Sequence, residues 1–352
     1  MYPRLVINIK KLCKNAEIIL SLCQKNNISS CFLVTKVLAG NVRITKSLAP
    51  LGFSHIADSR ITNLKKYKDI SLPKVLLRSP TKNEIKNVIL YTDVSLESEL
   101  ATIYNLNEEA KQQNKIHKII LMFDLGDLRE GILISDDYIK FVNDILKLTN
   151  INLWGIGTNL TCYGGIIPTK EHLSQLIKIK ENIENFFNIS IPIISAGNSS
   201  FIYLLDEKIP KQINNLRIGE AIYFGHETSY YQKIASMYQD AFTLEAQLIE
   251  VKTKPSLPIG LKGKNAFLEI PQITNQGIML RGIAAIGRQD VYEKNLFPIN
   301  KNIKIIGASS DHLILDLTNT NYKLGDIISF RINYPGLLQL MTSKYITKNY
   351  YN

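Results

Sequence analysis

The stretch Lys10-Lys-Leu-Cys-Lys-Asn-Ala-Glu-Ile-Ile-Leu-Ser-Leu-Cys-Gln24, followed seven residues later by Cys31-Phe-Leu-Val-Thr-Lys36, decides how the whole chain is read. In the first part Leu12, Cys13, Ala16, Ile19, Leu20 and Cys23 recur at helical spacing. The second part is a short apolar run, which reads as a buried strand. The same alternation then repeats. Strand-like runs recur near 54–58, 74–79, 92–96, 117–124, 152–159, 191–196 and 214–217, and with the run ending at Lys36 there are eight. Between them lie amphipathic stretches such as 136–148 and 170–187, long enough to serve as crossover helices between parallel strands. Eight such units predict an α/β fold, a (β/α)8 TIM-type barrel over residues 10–229.

Beyond about residue 230 the period changes. Phe242, Leu244, Ala246 and Leu248 alternate with Thr243, Glu245 and Gln247, the pattern of a half-buried antiparallel strand. More strand-like runs follow at 278–286, 303–306, 312–317 and 327–332, separated by turn formers such as Pro258, Gly260, Asn319 and Gly325. Residues 230–352 therefore predict a C-terminal antiparallel β domain. The run at 4–9 would make a ninth barrel strand, so it is assigned to the β domain as well. Disorder is expected only in the last few residues.

With 352 residues, 45% hydrophobic and 21% charged, the chain can bury a large core in two domains. The net charge of +11 raises the question of nucleic acid. However, the lysines are scattered over helices, as in Lys10, Lys11 and Lys14, with no basic stripe or interleaved aromatics, so no nucleic-acid partner is expected. Cys13, Cys23, Cys31 and Cys162 have no paired spacing, and no signal-peptide or membrane-spanning run is present. A cytoplasmic protein without a membrane partner is expected. The five histidines stand far apart, which gives a metal site no support.

A barrel of this kind carries its chemistry at the C-terminal ends of the strands. Strand one ends in Val34-Thr35-Lys36, strand five in Phe123-Asp124-Leu125-Gly126 and strand six in Thr158-Asn159. Strand seven ends in Ser195-Ala196-Gly197-Asn198-Ser199-Ser200, and strand eight in Arg217-Ile218-Gly219. Lys36 closes an apolar segment, where lost solvation disfavours the charged amine, and the neutral amine is the form that condenses with a carbonyl. A lysine that simply snorkels to the rim is the commoner fate of such a residue. Gly197, Ser199, Ser200 and Gly219 offer free backbone N–H groups after strands seven and eight, where barrels bind phosphate, although Gly/Ser turns without a ligand are also common.

Taken together these residues resemble the alanine racemase-like group, the fold-type III pyridoxal-phosphate enzymes with a barrel and a C-terminal β domain. Val-Thr-Lys36 with Gly40-Asn41, Ile286-Gly-Arg-Gln-Asp-Val291 and Gly307-Ala-Ser-Ser-Asp-His-Leu-Ile-Leu-Asp316 resemble its ornithine racemase branch more than alanine racemase proper. The resemblance implies pyridoxal 5'-phosphate as cofactor, bonded to Lys36 as the catalytic residue. It implies Arg129, in Asp124-Leu-Gly-Asp-Leu-Arg129-Glu-Gly, near the cofactor's phenolic oxygen, and a phosphate cradle of Asn198, Ser199, Gly219 and Glu220. Arg217 would face the pyridine nitrogen. An arginine keeps its proton there and leaves the ring a weaker electron sink, which suits racemisation better than transamination. Ser310 and Asp311 match the substrate-carboxylate contacts of the β domain. Asp290 and Asp311 are also candidates for the distal ammonium of ornithine.

Several positions depart from alanine racemase. Met122 stands where the family has a modified lysine, and Asn159 where it has a histidine above the ring. The stretch 258–267, which in the family brings a catalytic tyrosine from a partner subunit, holds no tyrosine. The second acid/base is therefore unassigned. The expectation is a homodimeric racemase of ornithine with shared active sites. Other substrates compatible with the resemblance are lysine, alanine or another amino acid, and other activities are a metal-requiring D-amino-acid aldolase and a non-catalytic pyridoxal-phosphate carrier.

Overall fold

The computed structural model describes residues 1–207 and 209–351. The chain divides into two compact units, one formed by residues 11–239 and the other by residues 1–10 with the chain from 240 onward. In chain order the strands of the first part are β1 (Arg4–Asn8), β2 (Ser30–Val34), β3 (His55–Asp58), β4 (Lys74–Leu76), β5 (Val94–Glu97), β6 (His117–Asp124), β7 (Ile132–Leu133), β8 (Ile151–Thr158), β9 (Ile193–Ser195) and β10 (Asn215–Ile218).

Eight of these strands, β2 to β6 and β8 to β10, form a closed parallel ring. Two registers complete the closure: Val94 to Glu97 of β5 pair with Lys118 to Leu121 of β6, and Asn215 to Ile218 of β10 pair with Ser30 to Leu33 of β2. Each of the eight expected runs is one of these strands, and the fold is the expected (β/α)8 barrel. The lumen is packed by Phe32, Ala57, Val75, Leu96, Ile120 and Met122, one apolar residue or more from most of the strands. Near the N-terminal ends, Trp154 stacks with Phe32 at 6.4 Å between centroids, and His55 lies against both rings. Burial there lowers the His55 imidazole to about 4.

Helices alternate with these strands as the apolar spacing predicts. The first, Ile9–Lys25, buries Leu12, Ala16, Ile19 and Cys23, and Lys170–Phe187 buries Leu173, Leu176 and Ile183. The seam between the units falls ten residues beyond the 229 drawn from sequence. Asn15 accounts for this: its Nδ2 donates to the Tyr238 carbonyl at 2.8 Å and its Oδ1 accepts from Tyr238 N at 2.8 Å, which ties 230–239 to the first helix.

The second unit is an eight-stranded sheet. It contains β1 together with β11 (Phe242–Pro255), β12 (Ile278–Ala284), β13 (Leu296–Pro298), β14 (Lys304–Ala308), β15 (Leu313–Asp316), β16 (Ile327–Ile332) and β17 (Thr347–Tyr351). β1 pairs antiparallel with β11 and parallel with β17. The expected disorder at the chain end is thus corrected for 347–351, whose backbone groups are held by β1. Asn352 lies outside the described residues. The alternation at 242–248 is the predicted one, with Phe242, Leu244, Ala246 and Leu248 buried.

Candidate active site

Lys36 follows β2 directly and opens a single 3-10 turn, Lys36–Leu38. Its amine stem is half-buried. The preceding residue fixes its position: Thr35 Oγ1 donates to Asp58 Oδ2 at 2.9 Å, and Asp58 Oδ1 accepts from Arg60 N and Asn63 Nδ2. The chain then turns sharply through Ala39 and Gly40, both left-handed, before Asn41 caps the next helix by accepting from Ile44 N at 3.1 Å. A side chain on Gly40 would meet Lys66 Cδ at 2.8 Å.

Arg217, in β10, is buried in the same barrel. Its Nη2 donates to the Thr158 carbonyl at 2.7 Å and to Asn159 Oδ1 at 3.3 Å, while Nη1 donates to the Ser195 hydroxyl. All of these acceptors are neutral. Burial therefore dominates, with the charges of Cys162 and Glu130 opposing it in part, and brings the guanidinium down to about 10, which still leaves it charged at neutral pH. A buried cation with no carboxylate partner is costly, and such groups mark sites built for something else to complete them. Next to it, Thr158 Oγ1 and Asn159 Nδ2 are buried without hydrogen-bond partners among the described residues.

Asn159 joins Arg217 to the loop after β9. Its Oδ1 also accepts from Asn198 Nδ2 at 3.1 Å, and Asn198 Oδ1 in turn accepts from Ser200 N at 2.7 Å. Ser199 Oγ accepts from Ala221 N at 3.1 Å, which leaves its own proton to donate. Gly219 packs so closely on β2 that a Cβ would lie 3.0 Å from Val34 Cβ. Glu220 lies beside His226, with 3.5 Å between Oε1 and Nε2. Asn159, Asn198 and Arg217 are thus linked by side-chain hydrogen bonds, and Ser199, Gly219 and Glu220 follow the ends of β9 and β10.

Arg129 is placed differently. It is exposed on the loop between β6 and β7 and is paired with its neighbour Glu130. That loop is rigid at its base: Asp124 Oδ1 accepts from Gly126 N and Leu128 N, and a Cβ on Gly131 would collide with the Asp124 backbone at 2.4 Å. Asp127 binds it to the loop after β8 by accepting from Tyr163 N and Gly164 N. Met122 is buried among the lumen residues.

In the other unit Ser310 and Asp311 are exposed on a turn whose backbone packs against Gly287, with Ser310 O accepting from Gln289 N at 3.0 Å. Asp290 is buried, and its Oδ1 accepts from Ser343 Oγ. Of the two acids proposed for a substrate ammonium, only Asp311 is at the surface. Sequence reasoning left Thr158, Ser195 and Asn215 without roles. The available signal was a polar residue inside each of three apolar strand runs.

The family described as "Alanine racemase, N-terminal domain" matches residues 7–227. The chain belongs to the alanine racemase family. Among curated relatives it is similar to ornithine racemase of Acetoanaerobium sticklandii, with 47% identity over 99% of each chain. It is also similar to lysine racemase of Thermotoga maritima, with 38% identity over 99% of each. Among solved structures of the family, alanine racemase of Bartonella henselae with covalently bound pyridoxal phosphate covers 99% of both chains at TM-score 0.74 and 16% identity, a likeness of fold.

Proposed function

We propose that this member of the family is a pyridoxal-phosphate-dependent racemase that interconverts the L and D forms of ornithine. The observation that carries the reaction type is the buried Arg217 cation, held by neutral acceptors beside two unfilled polar atoms. These residues fit a neutral ring nitrogen that accepts a hydrogen bond. Ser199, Asn198 and the Gly219–Glu220 backbone suit a phosphate, and Arg129 a phenolic oxygen. The likeness to ornithine racemase along the whole chain supports the substrate.

When bound, the cofactor supplies an electron sink that makes the substrate Cα–H acidic. Lys36 Nζ holds it and moves a proton at one face of Cα. Because Arg217 keeps its protons, it limits how much charge the ring can store, so that returning a proton to Cα is favoured over other outcomes. Asn159 orients both Arg217 and Asn198 through one oxygen. The opposite face needs a second group, which the β domain of a partner subunit in a head-to-tail homodimer would supply. Asp311 of that domain is the candidate for the distal ammonium, with Ser310 beside it. Four free thiols support a cytoplasmic location. No helix among the described residues is long and apolar enough to cross a membrane.

Incubating the purified protein and pyridoxal phosphate with single L-amino acids, and following optical rotation, tests this directly. L-Ornithine is expected to lose rotation fastest. Lysine, one methylene longer, is the second reading because of the 38% identical relative, and faster loss with it would transfer the assignment. Rotation unchanged with every amino acid would reject the activity.

A further inference from the structure

Arg217, Ser195, Asn215, Ser30 and Ser54 form one continuous line of hydrogen bonds through β10, β9 and β2 to the residue before β3. The direction of every link can be derived. At the far end Ser54 Oγ donates to the Cys31 carbonyl at 3.1 Å, which commits its single proton. Ser30 Oγ, 2.8 Å from Ser54 Oγ, is therefore the donor of that pair. Asn215 Nδ2 donates to both Ser30 Oγ at 3.0 Å and the Ser30 carbonyl at 3.2 Å, so its amide oxygen faces the other way. Ser195 Oγ donates to that oxygen at 2.5 Å. With its proton committed there, Ser195 can only accept, and the group it accepts from is Arg217 Nη1.

Each hydroxyl donates once and accepts once, all in the same sense, and the line ends on a carbonyl of β2, the strand that leads to Lys36. Hydrogen bonds arranged in this way polarise one another and resist rotation of any single member. Arg217, Ser195, Asn215 and Ser30 are all buried, in a barrel whose lumen is otherwise filled by residues such as Ala57, Val75, Ile120 and Met122. Filling the barrel does not require such a line.

The geometry points to Ser195 and Asn215 as positioning residues that lock the Arg217 guanidinium in one rotamer, as a fixed donor. The inference rests on the reading of Arg217 given under the proposed function. Ser195→Ala removes the hydroxyl acceptor and leaves Nη1 only the longer 3.4 Å contact to the Ser195 carbonyl, and Asn215→Leu lets the Ser195 hydroxyl turn its proton toward the guanidinium. Each is expected to lower kcat about ten-fold with KM little changed; the melting temperature of the cofactor-free protein is expected to fall in Asn215→Leu, which strips the buried Ser30 groups of their donor, and to fall less in Ser195→Ala. In crystals of either variant Arg217 is expected to leave its wild-type rotamer. Because both residues act through one line, the double variant is expected to be no slower than the worse single one. Unchanged kcat in both variants, an unmoved Arg217, or effects that multiply would overturn the proposal. A wild-type protein that binds no pyridoxal phosphate fails the functional reading instead, and the position of Arg217 in cofactor-free crystals of the variants still decides this one.

Discussion

Thr35 donates from Oγ1 to Asp58 Oδ2 at 2.9 Å, joining the ends of β2 and β3 immediately before Lys36. Both residues are fully buried, and burial raises the Asp58 carboxyl above its ordinary range despite four hydrogen bonds that oppose the shift. Lys36 is presented from a stem held on two strands. With cofactor bound, borohydride is expected to bleach the visible band and to leave its label on Lys36 in a peptide map. Lys36→Ala is expected to cut turnover by about 10³-fold. A label on another lysine, or a protein that stays colourless with added pyridoxal phosphate, is the contrary result.

Arg217→Glu puts an acid where the buried cation stood. The variant is expected to retain cofactor, to racemise at least about ten-fold more slowly, and to form more transamination product, because a carboxyl group there favours a protonated ring nitrogen. Single-turnover assays that separate keto acid from D-amino acid measure the partition. An unchanged partition would show that Arg217 does not face the ring.

Glu97, at the end of β5, is fully buried, and neither carboxyl oxygen has a hydrogen-bond partner of normal geometry among the described residues. Burial raises it to about 8, with the nearby Ser95 and Ser79 hydroxyls opposing the shift only in part. Between the ordinary glutamate range and pH 8 the unfolded chain releases this proton while the folded chain keeps it. Stability therefore falls with rising pH across that window, by up to about 1.4 kcal/mol per pH unit from this one group. Glu97→Gln is expected to raise the melting temperature by several degrees at pH 8 and to leave it nearly unchanged at pH 4.5. An equal change at both pH values would mean that the carboxyl is not held neutral.

If partner subunits share sites, a Lys36→Ala chain and an Asp311→Ala chain, each strongly impaired alone, complement each other when mixed. One of the two sites in each mixed dimer then has both halves intact, and activity partly returns. Sedimentation of the wild-type protein as a fully active monomer would defeat the shared-site reading.

Much of the fold is written in local periodicity. The change from helical spacing at Leu12–Cys23 to the run ending at Val34, repeated eight times, specifies a barrel because each strand needs only its own apolar residues to be recognised. Lys36, Asn159, Asn198 and Arg217 could be singled out for the same reason, since a strand's C-terminal end is a position in sequence. Asp290 could not be told from Asp311 in this way, because both lie in turn-rich segments and only packing shows that Ser343 and the interior take one of them. The chain end misled as well: Thr347–Tyr351 is short and polar, and it is a strand because β1, more than 300 residues away, offers an edge.

By itself the sequence determined which segments are strands, which residues end them, and that a lysine and an arginine stand at barrel-strand ends. The tertiary structure decided what those residues touch. Arg217 meets Ser195 across 22 positions, and Asn215 meets Ser30 across 185. The register of neighbouring strands around a closed ring sets those pairings, and register depends on how all eight strands pack at once.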